Sequence, residues 1–270
     1  MTLTNTCDTS KVSIREIPKS TAKKMIKKHH YTHSFSSCRY ALGIFYQKDT
    51  QHKFFDDVDE ELIGCMSYGY PVGRSVVGSI FNDDKMLTTK NILELTRLFI
   101  HDGYGKNIES LALGKSFDWL KRNASHIKAL ISYSDPKVSH KGTIYQATNW
   151  IYQGLSTDIA LMPNWGISLT KDPHDWIHSR SVFNLWGSGN LEHLRKEIGK
   201  QGYKEFWRRE EPPKHRYIQI LPQSKKEKKD LIKRLKHETK PYPKEASDYN
   251  TEVVHHTTYE PDAEREKTFW

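Results

Sequence analysis

The chain has 270 residues, of which 36% are hydrophobic and 28% are charged, and its mean hydropathy is −0.76. This length is enough for one domain with a substantial core. No run approaches the roughly 18 apolar residues that a membrane span requires, and the N-terminus lacks a signal-peptide core, so we expect a cytoplasmic protein without membrane contacts. The three cysteines form no CxxC pair, which argues against a disulfide framework or a thiolate zinc site.

The net charge is +9 and is unevenly distributed along the chain. Residues 214–244 contain 11 Lys and Arg against 3 acidic residues, whereas residues 245–270 contain 7 acidic residues against 2 basic ones. A basic surface favours a polyanionic partner, because each phosphate that it neutralises releases condensed counterions. Charge alone leaves a second interpretation open, which is a solvated basic helix without such a partner.

The first half of the chain is dominated by strand patterns. Apolar and polar residues alternate with a period of two in several segments, and one segment has helical spacing with a serine or threonine available to cap it. These patterns predict strands at 12–17, 40–46, 62–70 and 92–100, a helix at about 20–30, and a charged hairpin excursion at 48–61.

The second half alternates between helix and strand patterns. The predicted elements are helices at about 107–122, 142–152 and 224–237 and strands at 127–133, 156–161 and 216–221. Such alternation predicts an α/β fold with a mixed sheet flanked by helices on both faces and a basic C-terminal helix. We expect an N-terminal extension at 1–10, one catalytic domain at 11–240 with an insertion at about 163–213, and a disordered acidic tail at 241–270.

Five segments carry a resemblance to a known family. They are KHHYTHS at 28–34, GCMSYG at 64–69, LELTRL at 93–98, NIES at 107–110, and SYSDP with HKGTIYQATNW at 132–150. Over roughly residues 10–240 the chain resembles the Mom family of phage proteins. The resemblance implies a GNAT-like fold and an enzyme in the infected bacterial host cell. Its implied activity is to add an acyl or carbamoylmethyl-type group to adenine N6 in phage DNA, which then resists host restriction.

The resemblance also implies a set of functional residues. They are Arg97, Ser110, Asp135 and Tyr145 for catalysis, and His30, Tyr31 and, as a weaker match, Tyr68 for substrate binding. Ordinary GNAT enzymes hold the pyrophosphate of acyl-CoA with an Arg/Gln-x-x-Gly-x-Gly/Ala loop. Here residues 101–107 read HDGYGKN, which keeps the glycines and a helix N-terminus but lacks the arginine. This departure argues against acetyl-CoA and leaves an unidentified acyl or aminoacyl donor, either a CoA-type compound or a charged tRNA.

Two of these residues have a direct chemical interpretation. Asp135 follows an apolar strand, at the end of the sheet where ligands of α/β proteins bind. A carboxylate there can accept a proton from the adenine amine, a step that a positioned base accelerates by about 10²–10⁴-fold. The alternative is a local Asx-Pro turn. Tyr145 protonates the leaving group or stacks on a base in one interpretation, and packs in the core in the other.

Arg97 is a lone cation in an alternating apolar strand. A buried guanidinium needs an anionic or carbonyl partner, because an unpaired buried charge is costly. It binds the donor in one interpretation and pairs with Glu94 or Glu109 in the other. Ser110 either caps the helix that follows or directs its hydroxyl to the donor.

The histidines after residue 28 raise the question of a metal. His30 and His33 have i, i+3 spacing and are weak candidates for a metal site, with Asp102 or Asp135 supplying an oxygen ligand. The chain has neither an HExxH motif nor a cysteine pair to support such a site. We therefore predict no metal.

The combination of aromatic and basic residues favours double-stranded DNA as the partner. Tyr31, Tyr68 and Tyr70 predict a stacking surface for an extruded base, since enzymes that act on bases in duplex DNA flip them out. Predicted contacts with the phosphate backbone are Arg208, Arg209, Lys214, Arg216, Lys225, Lys226, Lys229 and Lys233. Two other functions stay open. One is a GNAT-type N-acyltransferase with another acceptor, such as a protein amine, a small molecule or another modified nucleotide. The other is a catalytically inactive DNA-binding protein of the same fold.

Overall fold

The computed structural model describes residues 6–48, 59–71, 74–82, 87–136, 141–159, 164–172, 175–244 and 252–259. The chain divides into two compact units. The first unit contains Met1–Ser134, Gly142–Gly154 and His215–Lys244, and the second contains Asp135–Lys141, Leu155–Lys214 and Glu245–Trp270. None of the described helices is long and apolar enough to cross a membrane.

Strands and helices alternate along most of the chain. In chain order they are β1 (Val12–Glu16), α1 (Lys19–His29), β2 (Tyr40–Gln47), β3 (Glu60–Gly69), α2 (Arg74–Val77), β4 (Ile92–Ile100), α3 (Ile108–Asn123), β5 (Ala129–Ser134), α4 (Thr143–Ala147), β6 (Ile151–Leu155), β7 (Trp165–Ser168), β8 (Ile177–His178), α5 (Ser179–Trp186), α6 (Leu191–Lys200), β9 (Glu205–Glu210), β10 (His215–Ile220), α7 (Lys225–Lys233) and β11 (Val253–Thr257). Seven strands of the first unit form one sheet in the order β1-β2-β3-β4-β5-β10-β6.

The sheet combines antiparallel and parallel pairs. Strands β1 to β4 pair antiparallel with their neighbours, β4 and β5 pair parallel, and β5 and β10 pair antiparallel. The parallel pair joins Ile92–Glu94 to Ala129–Ile131 and does not continue beyond Glu94 and Ile131. The two strands therefore diverge at the centre of the sheet, and the Ser132 hydroxyl donates a hydrogen bond to the Leu95 carbonyl 3.1 Å away in this region.

Helices cover both faces of this sheet. Leu130 on β5 packs in the same core as Leu113 and Phe117 of α3. Its neighbours Ala129 and Ile131 point the other way and join a core that includes Leu231 of α7. Along each strand successive side chains face opposite sides, so a strand with apolar residues at every position is buried on both faces. The predicted mixed α/β sheet with helices on both faces and a basic C-terminal helix is confirmed.

The segment that follows Pro136 differs from the expectation. The helix predicted at 142–152 is a short helix, α4, and the strand that follows begins at Ile151 instead of Ser156. Asn149 has φ 57°, in the left-handed region, which a continuing α-helix does not contain. One core contains the side chains of Tyr145, Trp150 and Tyr152, although these residues lie on a short helix, the turn after it and a strand. The spacing of these aromatic residues therefore did not indicate one continuous helix.

The second unit has its own sheet, in the order β11-β9-β7-β8. Its core contains the side chains of Ile167, Val182, Trp186, Leu194, Ile198 and Phe206. The predicted insertion at 163–213 thus contains regular structure that the sequence patterns did not reveal. The predicted disordered tail is wrong for 253–257, because β11 pairs antiparallel with β9 over Val253–Thr257.

Candidate active site

A β-bulge on β4 decides which side chains share a face of the sheet. Ser67 of β3 pairs with Arg97, Tyr68 pairs with Leu95, and Gly69 pairs with Glu94, so Thr96 is an extra residue on β4. Directly paired residues in antiparallel strands have their side chains on the same face. Ser67 and Gly69 are two residues apart on β3 and therefore share one face. Their partners Arg97 and Glu94 share that face as well. Without the bulge, residues three apart on a strand would face opposite sides.

Arg97 is held by the loop that follows α1. Its Nε donates to the Ser34 carbonyl at 3.0 Å, one Nη donates to Ser34 Oγ at 2.8 Å, and the other donates to the Thr96 carbonyl at 2.6 Å. Burial lowers the pKa of Arg97, and the nearby Tyr31 and Glu94 act in the opposite direction. The guanidinium is therefore fixed in place, with an acidic side chain and a phenol in its surroundings.

The same loop presents His30 and Tyr31. The two rings stack with their centroids 4.4 Å apart, and the Tyr31 residue is 56% exposed whereas His30 is 9% exposed. His30 Nδ1 lies 2.9 Å from Thr32 Oγ1. The loop passes so close to the sheet that a Cβ on Gly69 would lie 2.0 Å from the Ser37 carbonyl oxygen. Glycine at position 69 is thus required for this loop to reach Arg97.

Tyr145 reaches the divergence of β4 and β5 from the other face. Its hydroxyl lies 2.8 Å from Ser132 Oγ. Because the single Ser132 proton goes to the Leu95 carbonyl, Tyr145 is the donor in this bond. Burial raises the pKa of Tyr145 to about 12, and Tyr31 and Glu94 are among the groups that raise it further. Tyr31 and Glu94 both contribute to the electrostatic surroundings of Arg97 and of Tyr145. We call these four residues the β4 cluster.

Tyr68 does not contribute to this surface. Its residue is fully buried, and its hydroxyl lies 2.6 Å from Ser116 Oγ of α3. Burial raises the pKa of Tyr68. The prediction that Tyr68 binds substrate is wrong, because a ring without exposed surface cannot stack on an extruded base. The half-buried Tyr70 at the end of β3 packs against the same core.

Ser110 lies on the first turn of α3, where it donates a hydrogen bond to the Asn107 carbonyl at 2.9 Å. It lines a surface groove of about 440 Å³ between α3 and α4. The other lining residues are Leu111, Gly114, Lys115, Phe117, Asp118, Ala147, Thr148 and Asn149. Ser110 does not cap α3, because Asn107 is the N-cap and no side chain caps this helix. The role of Ser110 in donor binding stays a prediction, since the hydroxyl borders a groove of ligand size.

The loop before α3 has the backbone geometry of a tight turn. Gly103 and Gly105 have φ values of 107° and 99°, and Asn107, which precedes the first residue of α3, has φ 68°. The N-terminal segment lies against this loop, where the Cys7 amide donates to the Lys106 carbonyl at 3.0 Å. This loop therefore offers the positive-φ glycines that the sequence indicated, in contact with residues 6 and 7.

Asp135 directly follows β5 and belongs to the second unit. Its Oδ2 lies 3.1 Å from Lys214 Nζ, and the two side chains are 24% and 46% exposed. The Lys214 backbone is itself fixed, because its amide donates to Ser156 Oγ and its carbonyl accepts from the Ser156 amide. A predicted base and a predicted DNA contact thus form one ion pair, and both assignments stay predictions.

The histidines do not assemble into a ligand cluster. Within the described ranges, three or more His, Cys, Asp or Glu side chains nowhere come together as metal ligands would. His33 Nδ1 lies 3.1 Å from the Lys27 carbonyl, so it acts locally at the end of α1. The weak candidates His30 and His33 therefore gain no third ligand from the described part of the chain.

The predicted DNA contacts on α7 and β9 lie in two different environments. Lys225, Lys226, Lys229 and Lys233 are exposed along α7. On β9, the Arg208 guanidinium lies 4.3 Å from the Trp165 ring centroid and that of Arg209 lies 3.8 Å from the Trp176 ring centroid. These six residues stay predicted DNA contacts.

Arg216 is a correction to this set. The residue is 2% exposed, and its guanidinium donates to Ser79 Oγ at 2.8 Å and to the Ser79 carbonyl at 3.2 Å. Burial lowers the pKa of Arg216. The prediction that Arg216 contacts DNA phosphates is wrong, because its side chain is enclosed by the protein on the α7 side of the sheet.

Glu94 and Ser132 are the residues of this site that the sequence analysis did not assign to it. Glu94 entered only as an alternative ion-pair partner of Arg97. In a regular strand residues 94 and 97 would face opposite sides, and only the bulge brings their side chains to one face. The signal that was available is the pair of charges, Glu94 and Arg97, within one apolar strand. Two charges that share a buried strand usually share an environment, since each is costly to bury alone.

The fold and the β4 cluster define a mixed α/β protein with a polar site at two diverging central strands. The chain belongs to the Mom protein family, whose family model matches residues 11–244. It is 25% identical over 230 residues to the methylcarbamoylase Mom of Escherichia phage Mu, which covers 83% of this chain and 80% of that protein.

Solved structures of acetyltransferases show a weaker likeness. A GNAT-family acetyltransferase from Bacillus anthracis has 10% identity and a TM-score of 0.36, covering 79% of this chain and 97% of that one. Spermidine N-acetyltransferase from Vibrio cholerae has 8% identity and a TM-score of 0.37, covering 78% and 96%. At these scores the likenesses carry no argument, and the fold class rests on the sheet itself.

Proposed function

We propose that this protein is a transferase that modifies DNA, adding an acyl or carbamoylmethyl-type group to adenine N6 and thereby protecting phage DNA from host restriction. The observation that carries the proposal is the β4 cluster, which combines an exposed aromatic ring, a guanidinium fixed by Ser34, a carboxylate on the same face of β4 and a phenol bonded to Ser132 of β5. Membership of the Mom family and the similarity to the phage Mu protein support this choice of reaction.

Each side chain of the cluster has a role that its surroundings support. Tyr31 stacks on the extruded adenine, since its ring is more than half exposed and rests on His30. Arg97 binds an anionic or carbonyl oxygen, which its fixed guanidinium can do without reorganisation. Tyr145 keeps its proton at neutral pH because its pKa is about 12, and it passes this proton to the leaving group by giving up its hydrogen bond to Ser132.

The proposed reaction forms a bond between N6 and the transferred carbon and breaks the bond between that carbon and its carrier. Asp135 accepts the proton that leaves N6, and Lys214, which is 3.1 Å away, holds that carboxylate in place. The leaving carrier atom takes a proton or hydrogen bond from Tyr145. The amine needs such a base because its lone pair is delocalised into the adenine ring.

The donor is proposed to lie in the groove between α3 and α4. This groove is bordered by Ser110 and begins beside the glycine loop at 101–107. We propose an activated acyl or aminoacyl carrier, of the CoA type or a charged tRNA, and do not single out acetyl-CoA because the arginine of the ordinary loop is absent. The exposed lysines of α7 are proposed to contact the backbone of double-stranded DNA.

The proposal is tested by nucleoside mass spectrometry of plasmid DNA from cells that express the protein. We expect a new deoxyadenosine adduct with the wild type and none with Asp135→Asn, while salt-sensitive DNA binding of that variant is unchanged. Glu197→Gln is the matched control, because Glu197 also pairs with a lysine, Lys200, but lies on α6, outside the groove and the β4 cluster. Full activity of Asp135→Asn would show that Asp135 is not the base. If DNA stays unmodified in phage-infected cells that contain folded wild-type protein, the proposed reaction is wrong.

A further inference from the structure

The bulge at Thr96 places a hydrogen-bond acceptor and a donor side by side. Glu94 and Arg97 share one face of β4, and Glu94 contributes to the electrostatic surroundings of Arg97. Opposite Glu94 on β3 stands Gly69, and the Ser37 carbonyl occupies the space over this glycine, so a ligand approaches the carboxylate from the Arg97 side. Glu94 is partly accessible. A ligand that reaches Arg97 past Tyr31 therefore also meets a carboxylate.

The order of these two groups fits one kind of nucleobase edge. A carboxylate accepts hydrogen bonds and a guanidinium donates up to five, of which three go to Ser34 and Thr96. Adenine presents an exocyclic N–H donor next to a ring-nitrogen acceptor, whereas guanine and thymine present a carbonyl acceptor next to a ring N–H donor. The adenine edge complements Glu94 and Arg97. The guanine or thymine edge would place its carbonyl against the Glu94 carboxylate and its ring N–H against the Arg97 guanidinium.

We propose that Glu94 is a specificity-determining residue, whose carboxylate accepts an N–H of the adenine N6 amine. One of the two Arg97 N–H groups that Ser34 and Thr96 leave available donates to the adjacent ring nitrogen, and the other is left for the oxygen assigned to Arg97 above. This inference rests on the proposed function, because it concerns the base that the enzyme would modify. Cytosine presents the same order of donor and acceptor, so the pair selects amino bases against keto bases. The larger stacking area of a purine on Tyr31 then favours adenine over cytosine.

The wild-type protein by itself provides a first test. The full-length chain is titrated with deoxyadenosine monophosphate, with deoxyinosine monophosphate, in which a carbonyl replaces the amine, and with the N6,N6-dimethyl derivative of the adenosine nucleotide, which has no N6 proton. We expect deoxyadenosine monophosphate to bind about tenfold more tightly than either analogue, in line with the discrimination of a two-point base contact. Equal affinities, or no binding of the adenosine nucleotide at millimolar concentration, would overturn the proposal.

A variant then assigns the discrimination to this carboxylate. Glu94→Gln keeps the shape but replaces one acceptor oxygen by an N–H donor, so we expect the preference over deoxyinosine monophosphate to fall to about threefold or less. Glu16→Gln, at an exposed position at the end of β1, is the control and should keep the wild-type preference. If the Glu94 variant loses its cooperative unfolding transition, the wild-type ligand series decides.

The two proposals fail separately. If plasmid DNA acquires an adenine adduct but Glu94→Gln discriminates as the wild type does, the specificity assignment is wrong and the proposed function stands. If no adduct forms but the wild type prefers deoxyadenosine monophosphate in a Glu94-dependent manner, the base-binding site stands and the transfer reaction does not.

Discussion

The β4 cluster and the surface of α7 contain cations in two different states. Arg97 is partly buried, gives three hydrogen bonds to Ser34 and Thr96, and has a pKa lowered by burial. Lys225, Lys226 and Lys229 on α7 are exposed, and their side chains form no ion pair with another residue in the described part of the chain. The guanidinium of the β4 cluster is therefore fixed in orientation, whereas the ammonium groups of α7 are solvated.

This difference predicts two kinds of interaction with a nucleic acid. A fixed guanidinium can stabilise a particular oxygen or ring nitrogen, because no reorganisation is needed when the ligand arrives. Solvated lysines attract any phosphate within a Debye length and release counterions on contact, without reading a base. We therefore expect variants of the β4 cluster to change chemistry, and variants of α7 to change affinity and its dependence on salt.

The largest effect is expected at Arg97. Arg97→Ala and Arg97→Lys should both reduce adduct formation by about 10²–10³-fold, because neither side chain offers the planar fork that bonds Ser34 and Thr96 while facing a ligand. Quantitative nucleoside mass spectrometry of plasmid DNA measures the loss. Arg122→Ala, at an exposed position near the end of α3, is the control and should retain full activity. Full activity of the lysine variant would show that a point charge suffices and that the fixed geometry is unimportant.

The next effect concerns the pH dependence of stability at Tyr145. The phenol ionises near pH 10 in the unfolded chain and near 12 in the folded one, so the folded state binds this proton more tightly. This stabilisation is present below pH 10 and is lost as the pH rises from 10 to 12, by about 3 kcal/mol if two units of pKa are fully expressed.

Urea unfolding at pH 8 and pH 11 tests this expectation. Tyr145→Phe should show a smaller alkaline loss of unfolding free energy than the wild type, whereas the exposed Tyr203→Phe should show the wild-type loss. The same alkaline loss in Tyr145→Phe and in the wild type would contradict the burial argument. Adduct formation by Tyr145→Phe at pH 8 then reports separately on the catalytic role of the hydroxyl.

The smallest effect is expected on α7. Lys226→Gln with Lys229→Gln should weaken DNA binding several-fold and reduce the slope of log affinity against log salt by about 2, with no change in unfolding free energy. The control is Lys90→Gln with Lys196→Gln, which removes the same charge from exposed positions outside α7. Equal losses in both double variants would mean that net charge, and not the α7 surface, attracts the DNA.

Several elements could be predicted from local patterns because their burial follows the period of the backbone. The strand at 92–100 is found with these bounds, and the helix expected at 107–122 is α3, Ile108–Asn123. Regular alternation did not reveal the second unit, where β8 has two residues and β9 contains charged residues on both faces. Short strands of this kind are stabilised by their neighbours in the sheet, which the local sequence does not specify.

Some residues of the candidate site could likewise be predicted from the sequence, and others could not. His30, Tyr31, Arg97 and Tyr145 were predicted from the resemblance. The structure places Tyr145 at Ser132 of β5, and it places Arg97 against the loop that carries the stacked His30 and Tyr31. Tyr68 is wrong because its strand position faces α3, and Arg216 is wrong because its strand position faces the core on the α7 side. Exposure of a polar or aromatic residue depends on what packs over it, and motif spacing does not contain that information.

The sequence by itself determined the α/β class, the order of the main strands and helices, the basic character of α7 and the residue types available for chemistry. These follow from periodicity, capping and composition, which act over a few residues. Only the tertiary structure decided that Glu94 joins Arg97. A single extra residue at Thr96 shifts the strand register, and register depends on the pairing partner, β3, about 30 residues away.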